Sequence, residues 1–304
     1  MLRAIVLGAG AGGGFPQWNS AGPGCQRARA GDPGAKPRSQ ASIAVSADGA
    51  RWLLVNASPD LRAQIAATPA LHPRPRPLRN SPIAAVALTG AEVDTIAGLL
   101  NLRERQPLRL YGALQSLAVL AENPIFGALN PEFVTREVMP LNQGFAPLDG
   151  QGRPLGLTIE AYPVPGKVPL FAEGAGDPGL AEDGEAVGLA ISAGGATLHY
   201  IPGCAMMTPA LAGRLRGAAC VLFDGTLYSD DEMIVAGAGP KTGRRMGHMP
   251  MTETVAAFAP LGVVRRVFIH INNTNPTLLD DSPERAMLTA AGWDVAEDGM
   301  EMTL

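Results

Sequence analysis

Residues 83–100, IAAVALTGAEVDTIAGLL, decide how the fold is read. The run from Ile83 to Leu88 is almost continuously apolar, the pattern of a strand covered on both faces. Ile96, Leu99 and Leu100 then fall at helical spacing. Between strand and helix, Glu92 and Asp94 sit in a short polar turn. Sheets of alternating strands and helices place their chemistry at such strand ends.

Three further stretches repeat the arrangement. In VLFDGT, Asp224 closes the apolar strand Ala219–Phe223. In VFIHINNTNP, His270 ends the strand Arg266–His270 and leads into Asn272, Asn273, Thr274 and Asn275. In TGRRMGHMP, His248 stands just ahead of a helix spanning Thr252–Phe258. An aspartate at a strand end is often a turn cap, and a single histidine there is often a hydrogen-bonded core residue. Four such clusters in one topological position point instead to a shared site.

Outward from these anchors the chain alternates strands and short helices. Leu2–Leu7 reads as a buried strand, Pro16–Pro37 as an irregular loop, and Gln40–Ser46 with Arg51–Val55 as a hairpin turning at Asp48-Gly49. Ser58 is placed to cap a helix through Leu61 and Ile65, with Pro59 in its first turn. A second hairpin turns at Gly194-Gly195, and Thr208–Leu215 and Ser282–Ala291 read as helices. No internal repeat or linker divides the chain. The expectation is one α/β domain over residues 1–304, with two sheets flanked by helices.

Of the 304 residues, 46% are hydrophobic and 17% charged, enough for a large core. A net charge of -4 with no basic run argues against a nucleic-acid surface. The N-terminal apolar run is too short for a signal peptide, and no stretch is long enough for a membrane span. A cytoplasmic location is therefore expected, and the three unpaired-looking cysteines suit a reducing compartment. Gly8 to Gly13 matches the G-x-G-x-x-G dinucleotide fingerprint. The residues that follow, GFPQWNSAGPG, lack the helix whose N-terminus would hold a pyrophosphate, so no NAD site is expected.

With these residues in view, LTGAEVDTIAGLL resembles the metal-binding turn of the metallo-β-lactamase fold, T-H-x-H-x-D-H-x-x-G. Asp94 matches its aspartate and Gly98 its glycine, while Asp224 and His270 fall at its bridging aspartate and last histidine. The blocks GGGFPQWN, PRSQASIAVS, WLLVNASPDLR, VPGKVPL, YIPGCA, LFDGTL, KTGRRMGHM and HINNTNPTLLDDSPER are more closely similar to the pyrroloquinoline quinone biosynthesis protein B family. That resemblance runs from residue 12 to the C-terminus. It implies a four-layer αβ/βα sandwich and a metal-dependent, iron-based hydroxylation of a tyrosine-derived intermediate with dioxygen. Carriage of the finished cofactor, a transport role, is the other activity it implies.

The chain departs from both patterns. Gly90, Glu92 and Thr95 occupy the three histidine positions of the superfamily turn. Ser20, Gly22 and Cys25 stand where the family shows W-N-C-x-C-x-x-C, so a structural zinc is not expected. The remaining metal ligands would be Asp94, Asp224, His270 and His248, with Glu92 in reserve, a set suited to Fe(II). In the catalytic reading Asp94 and His248 carry the chemistry, His248 as ligand or proton shuttle.

Only Lys36, Lys167 and Lys241 are lysines. Lys241, Arg244 and Arg245 are candidate partners for the carboxylates of a small aromatic, amino-acid-derived substrate, with Asn273, Trp18 and Ser58 as further contacts. A homodimer is compatible with this reading. Two alternatives stand beside the oxygenase: a non-catalytic binding protein for a pathway intermediate or product, and a metallo-hydrolase.

Overall fold

A computed structural model describes residues 1–173 and 179–304. Six strands come first in the chain: β1 (Arg3–Gly8), β2 (Ser42–Ser46), β3 (Trp52–Val55), β4 (Ile83–Ala87), β5 (Leu108–Gly112) and β6 (Val134–Val138). Seven more follow: β7 (Gly144–Phe145), β8 (Thr158–Pro163), β9 (Val187–Ala193), β10 (Ala196–Ile201), β11 (Cys220–Asp224), β12 (Arg265–Ile269) and β13 (Asp294–Val295). A last strand, β14 (Glu301–Thr303), returns to pair with β1.

Among the described residues these form two sheets of seven, ordered β14-β1-β2-β3-β4-β5-β6 and β7-β8-β9-β10-β11-β12-β13. Read in those directions, each sheet has three antiparallel pairings followed by three parallel ones. The sequence shows no repeat, yet the two halves share one pairing scheme. Backbone pairing depends on alternation and strand length, which unrelated side chains can satisfy equally well.

Alternation along the strands builds the layers. Leu53, Val55, Leu198, Tyr200, Leu222 and Ile269 point between the sheets and are fully buried. Leu54, Val86 and Leu110 face outward on the first sheet, against Leu61, Leu99 and Leu120 from its covering helices. On the second sheet Val221, Phe223 and Phe268 pack outward against Leu211, Phe258 and Trp293. Phe268 stacks on Trp293 with ring centroids 4.0 Å apart. Burying each large side chain contributes roughly 1.5–3 kcal/mol before the cost of ordering it. The outcome is helix, sheet, sheet, helix: the metallo-β-lactamase sandwich.

The helices are short: α1 (Pro23–Arg29), α2 (Leu61–Ala67), α3 (Val93–Ile96), α4 (Leu114–Glu122), α5 (Pro209–Leu215), α6 (Glu232–Val235), α7 (Met251–Phe258) and α8 (Pro283–Ala290). α1, α2 and α6 differ from the sequence reading, which placed no element at Glu232–Val235. α1 interrupts the expected loop at 16–37, its Pro23 tolerated in the first turn. α2 begins after Asp60 rather than Ser58, and the buried Ser58 hydroxyl instead donates to Gln64 Oε1 at 3.0 Å. The hairpin between β2 and β3 closes as expected, with Asp48 Oδ1 accepting from the amides of Ala50 and Arg51. No helix among the described residues is long and apolar enough to cross a membrane.

Candidate metal centre

The C-terminal ends of β1, β4, β10, β11 and β12 meet along one edge of the sandwich, and the site is built there. β4 runs out through Thr89, whose amide and hydroxyl are held by the side chain of Asn56 at 2.9 Å each. This fixes the start of the Gly90–Thr95 turn. At its far end Gly98 packs so tightly that an added Cβ would lie 1.9 Å from the Ser58 carbonyl oxygen. Only glycine permits that approach, which brings Asp94 to the rim.

β11 ends in Asp224, whose side chain is fully buried and saturated with donors. Its Oδ1 accepts from the Thr226 amide (3.0 Å) and hydroxyl (2.6 Å). Its Oδ2 accepts from the Cys204 amide at 2.9 Å and lies 2.7 Å from His248 Nδ1. β12 ends at His270, whose backbone adopts φ 62°, a left-handed conformation rare for a residue with a side chain. Its ring stacks beside that of His248, centroids 5.4 Å apart.

Thr226 organises both imidazoles. Its Oγ1 is 2.8 Å from His270 Nδ1 and 3.0 Å from His248 Nδ1. A hydroxyl has one proton, and donating it to Asp224 leaves Thr226 an acceptor. With its Nδ1–H directed there, the protonated His270 ring also donates from Nε2 to Asp94 Oδ2 at 2.9 Å, and loss of that second proton frees the Nε2 lone pair. Burial raises the Asp94 carboxyl, but the hydrogen bond and charge of His270, with the charge of His248, outweigh it and hold the group below the usual range. Burial likewise lowers His270, and the bond to Asp94, reinforced by the Asp94, Asp224 and Glu92 charges, carries it above the ordinary imidazole value.

Asp224, His248 and His270 each offer a ligand atom, all within 4.8 Å of one another. Asp94 Oδ2 adds a fourth donor beside His270 Nε2. Two imidazoles and two carboxylates fit a borderline divalent ion such as zinc. The three substituted positions do other work. Thr95 turns its hydroxyl into its own turn, toward the carbonyls of Glu92 (2.7 Å) and Gly90 (3.2 Å). Glu92 accepts from the Leu170 amide at 3.1 Å and faces Lys167 at 3.6 Å. Gly90 has no ligand to offer.

A cavity of about 890 Å³ opens over the cluster, with Asp94, Thr226, His248 and His270 in its wall. The glycine loop after β1 also borders it: a Cβ on Gly12 would stand 3.6 Å from Asp94 Oδ2. That loop continues into turns and leaves room beside the carboxylate. Of the expected substrate contacts, Lys241 lines the cavity. Trp18 points to solvent at 85% exposure, Ser58 is buried beneath α2, and Arg244 pairs with Glu253. Arg245 lies off the cavity wall, its amide held by Thr242 Oγ1. Asn273 is also off the wall, its amide donating to Gln17 and its oxygen facing Cys25 Sγ at 3.7 Å. Asn272, in the loop expected to follow His270 into the site, is in the wall, together with Gln17, Lys167 and Thr226, which sequence reasoning did not assign to the site. Lysine beside glycine in PGKVP was a visible hint for Lys167.

A family model described as a beta-lactamase superfamily domain matches residues 51–271. The coenzyme PQQ synthesis protein B of Gluconacetobacter diazotrophicus is 59% identical, the match covering 100% of both chains. That of Gluconobacter oxydans is 53% identical over 100% of this chain and 99% of the relative. The chain belongs to the coenzyme PQQ synthesis protein B family. Its place is in PQQ biosynthesis. The crystal structure of Zn(2+)-bound PqqB from Methylobacterium extorquens superposes with a TM-score of 0.95 at 50% identity, covering 99% of this chain and 100% of that one. A diphosphatase of the PhnP family, 19% identical with a TM-score of 0.69 over 100% and 98% of the two chains, shares the fold.

The zinc in the Methylobacterium PqqB corrects the cofactor expectation. It points to zinc rather than Fe(II), and it overturns the dismissal of zinc drawn from Ser20 and Gly22. Imidazole and carboxylate donors accept either ion, so the residue types alone could not discriminate.

Proposed function

We propose that this member of the family hydroxylates a small, carboxylate-bearing, tyrosine-derived intermediate held in the cavity above the Asp94–His270 pair. One observation carries the reading. In a member of this family, Asp224, His248 and His270 bring ligand atoms within 4.8 Å of one another, and Asp94 bonds to His270, under a cavity large enough for an aromatic ligand. Asp94, Asp224, His248 and His270 would hold a divalent ion, zinc as in the Methylobacterium relative. When bound, the ion supplies positive charge that favours the ionised form of a phenol placed beside it. The protein's own groups orient the ligand: Lys241 draws a carboxylate to the rim, and the Gly12 backbone leaves room over Asp94. Where His248 does not hold the ion, its Nδ1 paired with Asp224 places it instead to move a proton at Nε2.

The test is incubation of purified protein of known metal content with a tyrosine-derived dicarboxylate, dioxygen and ascorbate, the two-electron donor that lets the second oxygen atom leave as water. The expected product carries one added oxygen atom by mass spectrometry, and Asp94→Ala and His270→Ala abolish it. Tight binding with no product under any metal load would refute hydroxylation. That result would favour a second reading, capture and transfer of the intermediate. The zinc of the relative supports this alternative, because zinc has no redox chemistry of its own.

A further inference from the structure

Two of the chain's three lysines reach the cavity wall from separate segments. Lys167 follows β8, in the loop after Gly166, and Lys241 precedes the Arg244–Met246 turn. Their ammonium groups meet on one carboxylate. Lys167 Nζ donates to Glu173 Oε1 at 2.5 Å, and Lys241 Nζ donates to Glu173 Oε2 at 2.9 Å. Each lysine thus takes one oxygen, the way two cations grip a ligand carboxylate. The Lys167 and Glu173 side chains are each only 11% exposed, so this is no solvated surface pair.

Glu173 belongs to the same loop as Lys167, and the loop is fastened to the rim a second time by the Leu170 amide on Glu92. Leu170 and Phe171, between those fastenings, are in the cavity wall yet more than half exposed to solvent. Large apolar groups held at a cavity mouth, beside two lysines already spanned by a carboxylate, describe a site for an aromatic acid. The hydrogen bonds from Lys167 and then Lys241 draw the Glu173 carboxyl down to about 2, so it is ionised at every working pH.

We propose that Lys167 and Lys241 form a carboxylate-binding subsite for the aromatic acid taken by this cavity, and that Glu173 fills it until the ligand's own carboxylate displaces it. This deepens the proposed function and rests on it for the class of ligand. An internal competitor lowers apparent affinity by the fraction of molecules in which the subsite is free. Its removal therefore tightens binding, an effect opposite to that of losing an ordinary structural contact.

The experiment is calorimetric titration of the full chain with PQQ, a planar aromatic tricarboxylate, and with its trimethyl ester. Glu173→Gln and Glu173→Ala are expected to bind PQQ about tenfold more tightly than the parent protein. Lys167→Met and Lys241→Met are expected to bind it about tenfold more weakly. All four differences should disappear with the ester. Equal or weaker binding by both Glu173 variants overturns the displacement. Unchanged binding by both lysine variants overturns the subsite while leaving the proposed function standing. Failure of the parent and every variant to bind PQQ overturns the subsite, while the hydroxylation assay alone decides the proposed function.

Discussion

His270 Nε2 lies 2.9 Å from Asp94 Oδ2, and the two residues come from opposite sheets. Asp94 follows β4 of the first sheet and His270 follows β12 of the second. The candidate metal centre therefore straddles the sandwich and depends on both halves being in register.

The pair gives metal-free protein a pH optimum of stability. Asp94, held below its ordinary 3.8, contributes above that value and loses its contribution as pH falls through the depressed value. His270, raised above 6.5, contributes fully below that value and loses its contribution as pH rises through the raised one. Urea unfolding across pH should show the Asp94–His270 contribution largest between 3.8 and 6.5. Asp94→Asn should flatten the profile; a variant profile that parallels the parent at all pH values would contradict it.

Thr226 is predicted to act through the two histidines it holds. Thr226→Val keeps the volume but removes the acceptor for both Nδ1 atoms and the donor to Asp224. Metal affinity, measured by chelator competition, should fall about 10- to 100-fold, and Thr226→Ser should restore it. Equal affinity in the valine variant would remove Thr226 from the site's construction.

At residue 95 the turn can be given back a ligand. Thr95 is nine-tenths buried in the cavity wall next to Asp94. Thr95→His should raise metal affinity roughly tenfold if the remaining donors converge on one ion. Losing the hydroxyl bonds to Glu92 and Gly90 should cost about 1 kcal/mol in urea unfolding. No gain in affinity would mean that residue 95 faces away from the ion.

Gly98→Ala probes the close approach beneath the turn. A methyl group 1.9 Å from the Ser58 oxygen must push the turn off α2. Stability should drop by about 3 kcal/mol and metal binding should weaken with it. Full metal affinity in a folded Gly98→Ala protein would show that the turn is not set by this contact.

Much of the architecture was legible because apolar runs stop abruptly. Ile83–Leu88, Ala219–Phe223 and Arg266–Ile269 each end at a polar residue, and those ends lie at the rim. What stayed hidden depended on short elements or distant partners. The seven residues of α1 are too few for a helical stripe to stand out among glycine and proline. Ser58 looks like a cap until Gln64 claims its hydroxyl. Thr226 follows Asp224 closely in sequence, but only folding brings it to histidines 22 and 44 residues away. Trp18 and Arg244 matched family blocks, and nothing local revealed that one faces solvent and the other Glu253.

The pairing of β1 with β14 sets an order of assembly. Arg3 leaves the ribosome early, while its partner Thr303 is synthesised long after every other strand of the first sheet. Until then β1 presents an open edge, a template for another chain in a cell making many copies at once. Closing the sandwich is thus a late event in the life of each molecule, and a clipped β14 should show itself first as aggregation, before any loss of chemistry.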